Sequence, residues 1–149
     1  MKKTSLSIRF GLFTSAMLII YFLILSIFNK HTNPAFSFFN AVITAFGVCE
    51  AVRLKKLENP EVFTYGEGFK TGIITGFIAT LVFTVFFLFY VTEINLDFLP
   101  ELLKTIKGGF NVDIGMLTFV VAVMGLATTV VSVLTVMQFF KKASNMLQN

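Results

Sequence analysis

Four long apolar runs divide the chain, and polar segments separate them. The runs are residues 10–28, 35–52, 72–92 and 115–140, and the only charged side chain inside them is Glu50. A bilayer core of about 30 Å requires roughly 20 apolar helical residues, because an α-helix rises about 1.5 Å per residue. Backbone groups in lipid must be satisfied within a helix or a closed barrel, and none of the runs alternates as barrel strands do. The pattern therefore predicts four transmembrane helices.

Composition supports a membrane domain. Apolar residues make up 56% of the chain and charged residues 13%, and the mean hydropathy is +0.84. Soluble domains usually carry about 25% charged residues. The first run exceeds the roughly 7–15 residues of a signal-peptide core, and residues 29–34 offer no small-residue cleavage site, so it is expected to be a retained anchor. Residues 1–149 are thus predicted to form a single all-α membrane domain, a four-helix bundle.

The distribution of Lys and Arg predicts the orientation of this bundle. Most basic residues fall on the side of the two termini: Lys2, Lys3, Arg9, Arg53, Lys55, Lys56, Lys70, Lys141 and Lys142. The opposite side carries Lys30, Lys104 and Lys107. By the positive-inside rule, both termini are cytoplasmic. The pI near 9.3 is then explained by helix ends that face anionic headgroups, and no nucleic-acid partner is expected.

A short amphipathic helix is predicted in the outer loop between the third and fourth spans. Within residues 97–107, apolar side chains recur at helical spacing: Phe98, Leu99, Leu102, Leu103 and Ile106. Pro100 is tolerated in the first turn, and Gly108 and Gly109 are expected to end the helix. Such a helix is expected to lie on the outer headgroups, although a partner-binding helix has the same pattern.

Small residues predict which helix faces pack together. Helices in lipid gain no hydrophobic advantage from meeting, so they meet where small side chains allow close backbone approach. The candidate packing positions are Gly47 in span two, Gly68, Gly72 and Gly76 in span three, and Ala122 and Gly125 in span four. Spans two to four are expected to form a tight core, with span one more peripheral. The GxxxG repeats favour packing within the chain, and self-association is the alternative.

Two ionisable side chains merit attention as candidate chemistry. Glu50 is the only acid within a span, and intramembrane acids are functional candidates by default. Arg53 lies three residues later on the same helix flank, so the pair is either an interfacial ion pair or a coupling site for protons or ions. His31 lies in a polar turn and is expected to be solvated, since no second metal ligand is nearby.

The chain carries none of the usual sequence motifs of catalysis or cofactor binding. It has no HExxH, CxxC pair, nucleophile elbow, P-loop or Rossmann glycine pattern. We therefore expect no catalytic residues, no cofactor and no metal, and hence a protein that is not an enzyme. The expected partners are membrane lipids, together with a second copy of the chain or another membrane protein.

The entry to the third span carries a family resemblance. Residues 64–72, TYGEGFKTG, are followed by an aromatic exit at residues 89–91 and by the Phe98-Leu99-Pro100 segment. This arrangement resembles the bacterial membrane family known as domain of unknown function 4199. The resemblance implies a basic start, four spans and a bacterial inner membrane, and it implies no established activity.

Two functional hypotheses follow from these observations. The first is a non-catalytic accessory or assembly subunit of the inner membrane that acts through helix packing. The alternative is a small homo-oligomeric transporter, channel or lipid flippase in which Glu50 is the coupling residue.

The predicted orientation can be tested with reporter fusions. Green fluorescent protein fused after residue 149 should fluoresce, and alkaline phosphatase fused at the same point should be inactive, because both termini are expected in the cytoplasm. Phosphatase inserted between the third and fourth spans should be active. An active phosphatase at the carboxyl terminus would contradict the predicted orientation.

Overall fold

The computed structural model describes the backbone of residues 2–106 and 111–146 and the side chains of residues 5–105 and 111–141. The helices are α1 (Lys2–Ile27), α2 (Pro34–Glu58), α3 (Tyr65–Phe89), a π-helical turn (Tyr90–Ile94), α4 (Phe98–Ile106) and α5 (Ile114–Met146). Over the described residues there is no strand. Four of the helices are long and apolar enough to cross a membrane, which confirms the all-α prediction and the four spans.

The long helices extend beyond the apolar runs that predicted them. The third begins at Tyr65 rather than near residue 72, and the second ends at Glu58 rather than near residue 52. Charged residues end a lipid-crossing segment, but they do not end a helix, because helical hydrogen bonding continues into the headgroup region. The helix starts are set by caps. The Asn33 side chain accepts a hydrogen bond from Ala35 N, and the Thr64 hydroxyl accepts one from Glu67 N.

Helices α2 and α3 form a central pair. Each of them contacts the other, and both contact α1 and α5. Over the residues that the structure describes, α1 and α5 share no extensive contact, so they lie on opposite sides of the pair. We call the end that holds the α1–α2 link, the π-helical turn and α4 the α4 end. The opposite end, which holds the start of α1, the α2–α3 link and the end of α5, is called the terminal end.

The expectation that span one is peripheral is wrong. The contact between α1 and α3 is the most extensive in the described structure. Thr14 is buried against Gly47, where an added Cβ would lie 2.0 Å from the Thr14 hydroxyl oxygen. A Cβ at Gly11 would lie 2.9 Å from the backbone oxygen of Thr75. Small hydroxyl side chains allow the same close approach as glycine, and α1 uses them along its buried face.

Helices α3 and α5 meet along a line of contacts that we call the α3–α5 seam. At successive turns, Gly68 faces Met137, Gly72 faces Val133, Gly76 faces Thr129, and Gly125 faces Thr80. A Cβ added at Gly76 would lie only 2.2 Å from a Thr129 methyl carbon. The hydroxyl oxygens of Thr80 and Thr129 lie 3.4 Å apart and form a buried hydrogen bond across the seam.

Two layers of larger side chains flank the small residues of α3. Toward the terminal end lies a cluster of Val48, Val52, Val133, Val136 and Met137. Toward the α4 end lies an aromatic cluster that includes Phe22 and Phe87. The structure thus combines close helix approach in the glycine-rich half of α3 with aromatic filling in its other half.

Helix α4 packs partly on the protein. Phe98 is 3% exposed within the aromatic cluster, and Leu102 is packed against it. Contact of α4 with lipid headgroups stays a prediction, and its predicted end at Gly108 and Gly109 lies outside the described residues.

The seam predicts opposite effects for two alanine substitutions on α3. Gly76→Ala should destabilise the protein by about 1–3 kcal/mol, because its Cβ has no room against Thr129. Gly66→Ala is the matched control, since its Cβ meets only the Thr64 hydroxyl at 4.0 Å, and it should be neutral or stabilising by up to about 1 kcal/mol. Thermal unfolding in detergent measures both. Equal midpoints for the two variants would contradict the close contact at the seam.

Candidate functional site

The structure places Glu50 and Arg53 in an ion pair on the flank of α2. Arg53 Nη1 lies 3.2 Å from Glu50 Oε1, and the side chains are 61% and 29% exposed respectively. An exposed pair of this kind contributes about 0–1 kcal/mol to stability. The packing candidates lie elsewhere: Gly47 faces α1, and Gly68, Gly72, Gly76 and Gly125 lie along the α3–α5 seam. Ala122 is half-buried on α5. The glycine candidates therefore line helix interfaces and do not converge on Glu50.

A group that sequence reasoning missed lies at the α4 end. We call it the His31 cluster, and it consists of Phe22, Ser26, His31, Tyr90, Asn95 and Phe98. These residues come from α1, the α1–α2 link, the π-helical turn with the residue after it, and α4. The cluster joins these four parts of the fold at one point.

Ring contacts hold the His31 imidazole. It stacks on Phe98 with ring centroids 5.1 Å apart and an interplanar angle of 30°. Phe22 approaches it edge-on at 5.9 Å, and Tyr90 does so at 6.1 Å. The turn that brings His31 to this position includes Asn29, whose φ of 53° lies in the left-handed region that asparagine tolerates.

A chain of hydrogen bonds runs through the same residues. The Tyr90 hydroxyl bonds closely to the Ser26 hydroxyl. Asn95 Nδ2 lies 3.4 Å from Tyr90 Oη, to which it donates, and 3.4 Å from His31 Nε2. The π-helical turn, which closes with Asn95 N donating to Tyr90 O at 2.9 Å, places Asn95 beside Tyr90. Such turns occur frequently at functional sites.

The surroundings of His31 favour the neutral imidazole. Burial lowers the pKa of His31 below its ordinary value of 6.5, and the Glu101 carboxylate opposes this shift. When Nε2 accepts from Asn95, the proton resides on Nδ1, which is buried and has no hydrogen-bond partner among the described residues. The expectation of a solvated His31 is therefore wrong.

One signal in the sequence was available to find this cluster. The α1–α2 link and the segment between the third and fourth spans were both predicted on the same side of the membrane. That placement puts His31 at the same end as Tyr90 and Phe98. The sequence did not show how far each of these side chains is buried.

The chemistry of the cluster suits a structural link between parts of the fold. It offers one imidazole, one phenol, one amide and one hydroxyl, most of whose polar atoms bond to one another. Among the side chains of residues 5–105 and 111–141 there is no group of three His, Cys, Asp or Glu that would hold a metal. The arrangement fixes the π-helical turn and α4 against α1.

Four helices of membrane-spanning length that pack through small side chains define the protein as a multi-pass membrane protein. The chain belongs to the family described as "Protein of unknown function (DUF4199)", whose sequence profile matches residues 9–111. The match includes the whole His31 cluster and ends before α5. No curated protein and no solved structure matches the chain.

The lowered pKa of His31 predicts a dependence of stability on pH. The unfolded chain binds a proton near pH 6.5, while the folded chain resists it, so stability should fall as the pH drops from about 7.5 to 5.5. In His31→Phe, which keeps the ring contacts, the part of this dependence due to His31 should be absent. Thermal unfolding in detergent at both pH values measures the difference. An identical pH dependence of stability in the wild type and His31→Phe would contradict the assignment of this effect to His31.

Proposed function

We propose that this protein is a non-catalytic accessory or assembly subunit of the bacterial inner membrane, and that it acts through contacts of its transmembrane helices. The observation that carries the proposal is the filled α3–α5 seam. Met137, Val133, Thr129 and Thr80 occupy the space beside successive small residues. A closed interior of this kind favours action through the outer surface of the bundle.

The polar groups beside α3 support the same proposal. The Thr75 hydroxyl donates to the backbone oxygen of Ser7, and Thr80 bonds to Thr129. Glu50, the candidate coupling residue of a transporter, pairs with Arg53 on the flank of α2. These contacts favour a role for the polar side chains in linking parts of the chain to one another.

Helix α5 is the favoured contact surface. Only 22% of its most apolar stretch is buried, which is the lowest share among the four long helices. Helix α5 packs on the α2–α3 pair along one side, so its other side faces outward. This outward side includes Phe119, Met124 and Val131, all strongly exposed. We infer that a membrane protein partner or a second copy of the chain docks there.

The orientation proposed with this function places both termini in the cytoplasm. The terminal end carries Arg9, Arg53, Lys70 and Lys141 as exposed basic side chains. Positive charge at this end favours the cytoplasmic side. Helix α4 and the His31 cluster then lie on the outer side.

A matched pair of tryptophan substitutions tests the proposal. Val131→Trp changes the outward side of α5, where the residue is 63% exposed, and Ile20→Trp changes α1, where the residue is 58% exposed. Lipid accommodates either ring, but a protein docked on α5 does not. Mild solubilisation of native membranes followed by native mass measurement should give a defined complex with the wild type and Ile20→Trp. We expect about tenfold less of it with Val131→Trp.

Three results would contradict the proposal. The first is a strict monomer in native membranes for the wild type, and the second is an equal loss of the complex in the two variants. The third is transport or lipid scrambling by the purified protein in liposomes that Glu50→Gln abolishes, which would favour the alternative of a small transporter.

A further inference from the structure

A small pocket opens at the terminal end, on the far side of the molecule from the His31 cluster. It has a volume of about 190 Å³ and lies between the end of α2, the α2–α3 link and the end of α5. The side chains that decide its chemistry are Lys56, Phe63, Tyr65, Phe140 and Lys141. Pockets that enclose a whole small molecule measure about 300–1,000 Å³, so this one suits a headgroup.

The pocket is cationic. Lys56 and Lys141 both line it, and no acidic side chain does. Among the described residues, neither lysine is paired with a carboxylate. Glu58, the last residue of α2, and Glu61, in the α2–α3 link, are exposed and lie outside the lining. Two ammonium groups with no carboxylate partner among the described residues favour an anionic ligand.

An aromatic ring holds one of the two ammonium groups in place. Lys56 Nζ lies 5.6 Å from the centre of the Phe140 ring. A cation over a ring face is attracted by the ring electrons, so Lys56 is positioned without a carboxylate partner. Tyr65, which also lines the pocket, stacks on Phe69 with ring centroids 6.4 Å apart.

A third ammonium group adds to the positive potential at this end. Lys55 is only 5% exposed, and its Nζ atom has no hydrogen-bond partner among the described residues. It does not line the pocket, but it lies in the same turn of α2 as Lys56. Charge in a weakly screened environment acts over a longer distance than charge in water.

The depth of the pocket identifies the source of the anion. The lining residues from α2, the α2–α3 link and the start of α3 fall between the apolar runs 35–52 and 72–92, and Lys141 directly follows the run 115–140. The pocket therefore borders the ends of these apolar runs and lies level with the lipid headgroups. Phe63, Met137 and Phe140 give it an apolar side that suits the first ester and acyl carbons of a lipid.

We propose that this pocket binds the phosphodiester headgroup of an anionic phospholipid, with Lys56 and Lys141 contacting the phosphate. Basic pockets between transmembrane helices on the cytoplasmic side are suited to such headgroups. The site does not depend on the accessory role proposed above, because a transporter of the same fold would retain it.

The test is lipid binding by the purified full-length protein. Native mass spectrometry with added dioleoyl phosphatidylglycerol should show one tightly retained lipid, and dioleoyl phosphatidylcholine should be retained at least about tenfold less. Lys56→Gln and Lys141→Gln should each weaken phosphatidylglycerol binding about fivefold. Lys70→Gln is the matched control, because Lys70 is an exposed lysine at the same end of the bundle that does not line the pocket. It should bind as the wild type does.

Each other outcome overturns the proposal. An equal loss in Lys70→Gln would show diffuse attraction by the whole basic end. Equal retention of phosphatidylcholine would show a site without charge selectivity. Competition by soluble glycerol 3-phosphate at the same concentration as the lipid would show a site for a free phosphate ester. If Lys56→Gln lowers the unfolding temperature of the protein, the phosphatidylglycerol binding of Lys141→Gln, a change at an exposed residue, alone decides whether the proposal holds.

Discussion

The close approach of α3 to its neighbours is the constraint on which the rest of the structure depends. Apolar faces gain nothing by leaving lipid for one another, so contact area and shape must replace the hydrophobic effect. Gly72 and Gly76 allow Val133 and Thr129 of α5 to reach the backbone of α3. On its other side, α3 packs against α1, where Gly11 of α1 allows a close contact with Thr75 and Ile78 of α3. One helix with close contacts on two faces therefore organises the bundle.

The two ends of the bundle differ because α3 changes character along its length. Its first half permits close packing, and its second half fills space with rings that gather around Phe22. The π-helical turn follows directly, and it presents Tyr90 and Asn95 to His31. The terminal end instead gathers basic side chains around a pocket. Under the orientation proposed above, neutral hydrogen bonding faces outward and positive charge faces the anionic lipids of the cytoplasmic leaflet.

The sequence predicted the number and type of the membrane helices because charge-free length is a direct requirement of the bilayer. It misplaced the helix ends because charge marks the lipid boundary and not the end of helical hydrogen bonding. The sequence understated the packing of α1 because this helix has few glycines, whereas the small side chains of Ser7 and Thr14 allow a similarly close approach of the helices. It missed His31 because burial of a loop side chain depends on Phe98, more than sixty residues away in the chain. The π-helical turn has no distinct periodicity, so nothing in the pattern marked it.

Cysteine cross-linking across the seam tests the account most directly. With Cys49 changed to Ser, the pair Thr80→Cys and Thr129→Cys should form a disulfide on mild oxidation, since the native hydroxyl oxygens lie 3.4 Å apart. The pair Thr80→Cys and Thr128→Cys should not, because residue 128 lies about 100° further round α5. Equal cross-linking of the two pairs, or none in the first, would contradict the central position of α3.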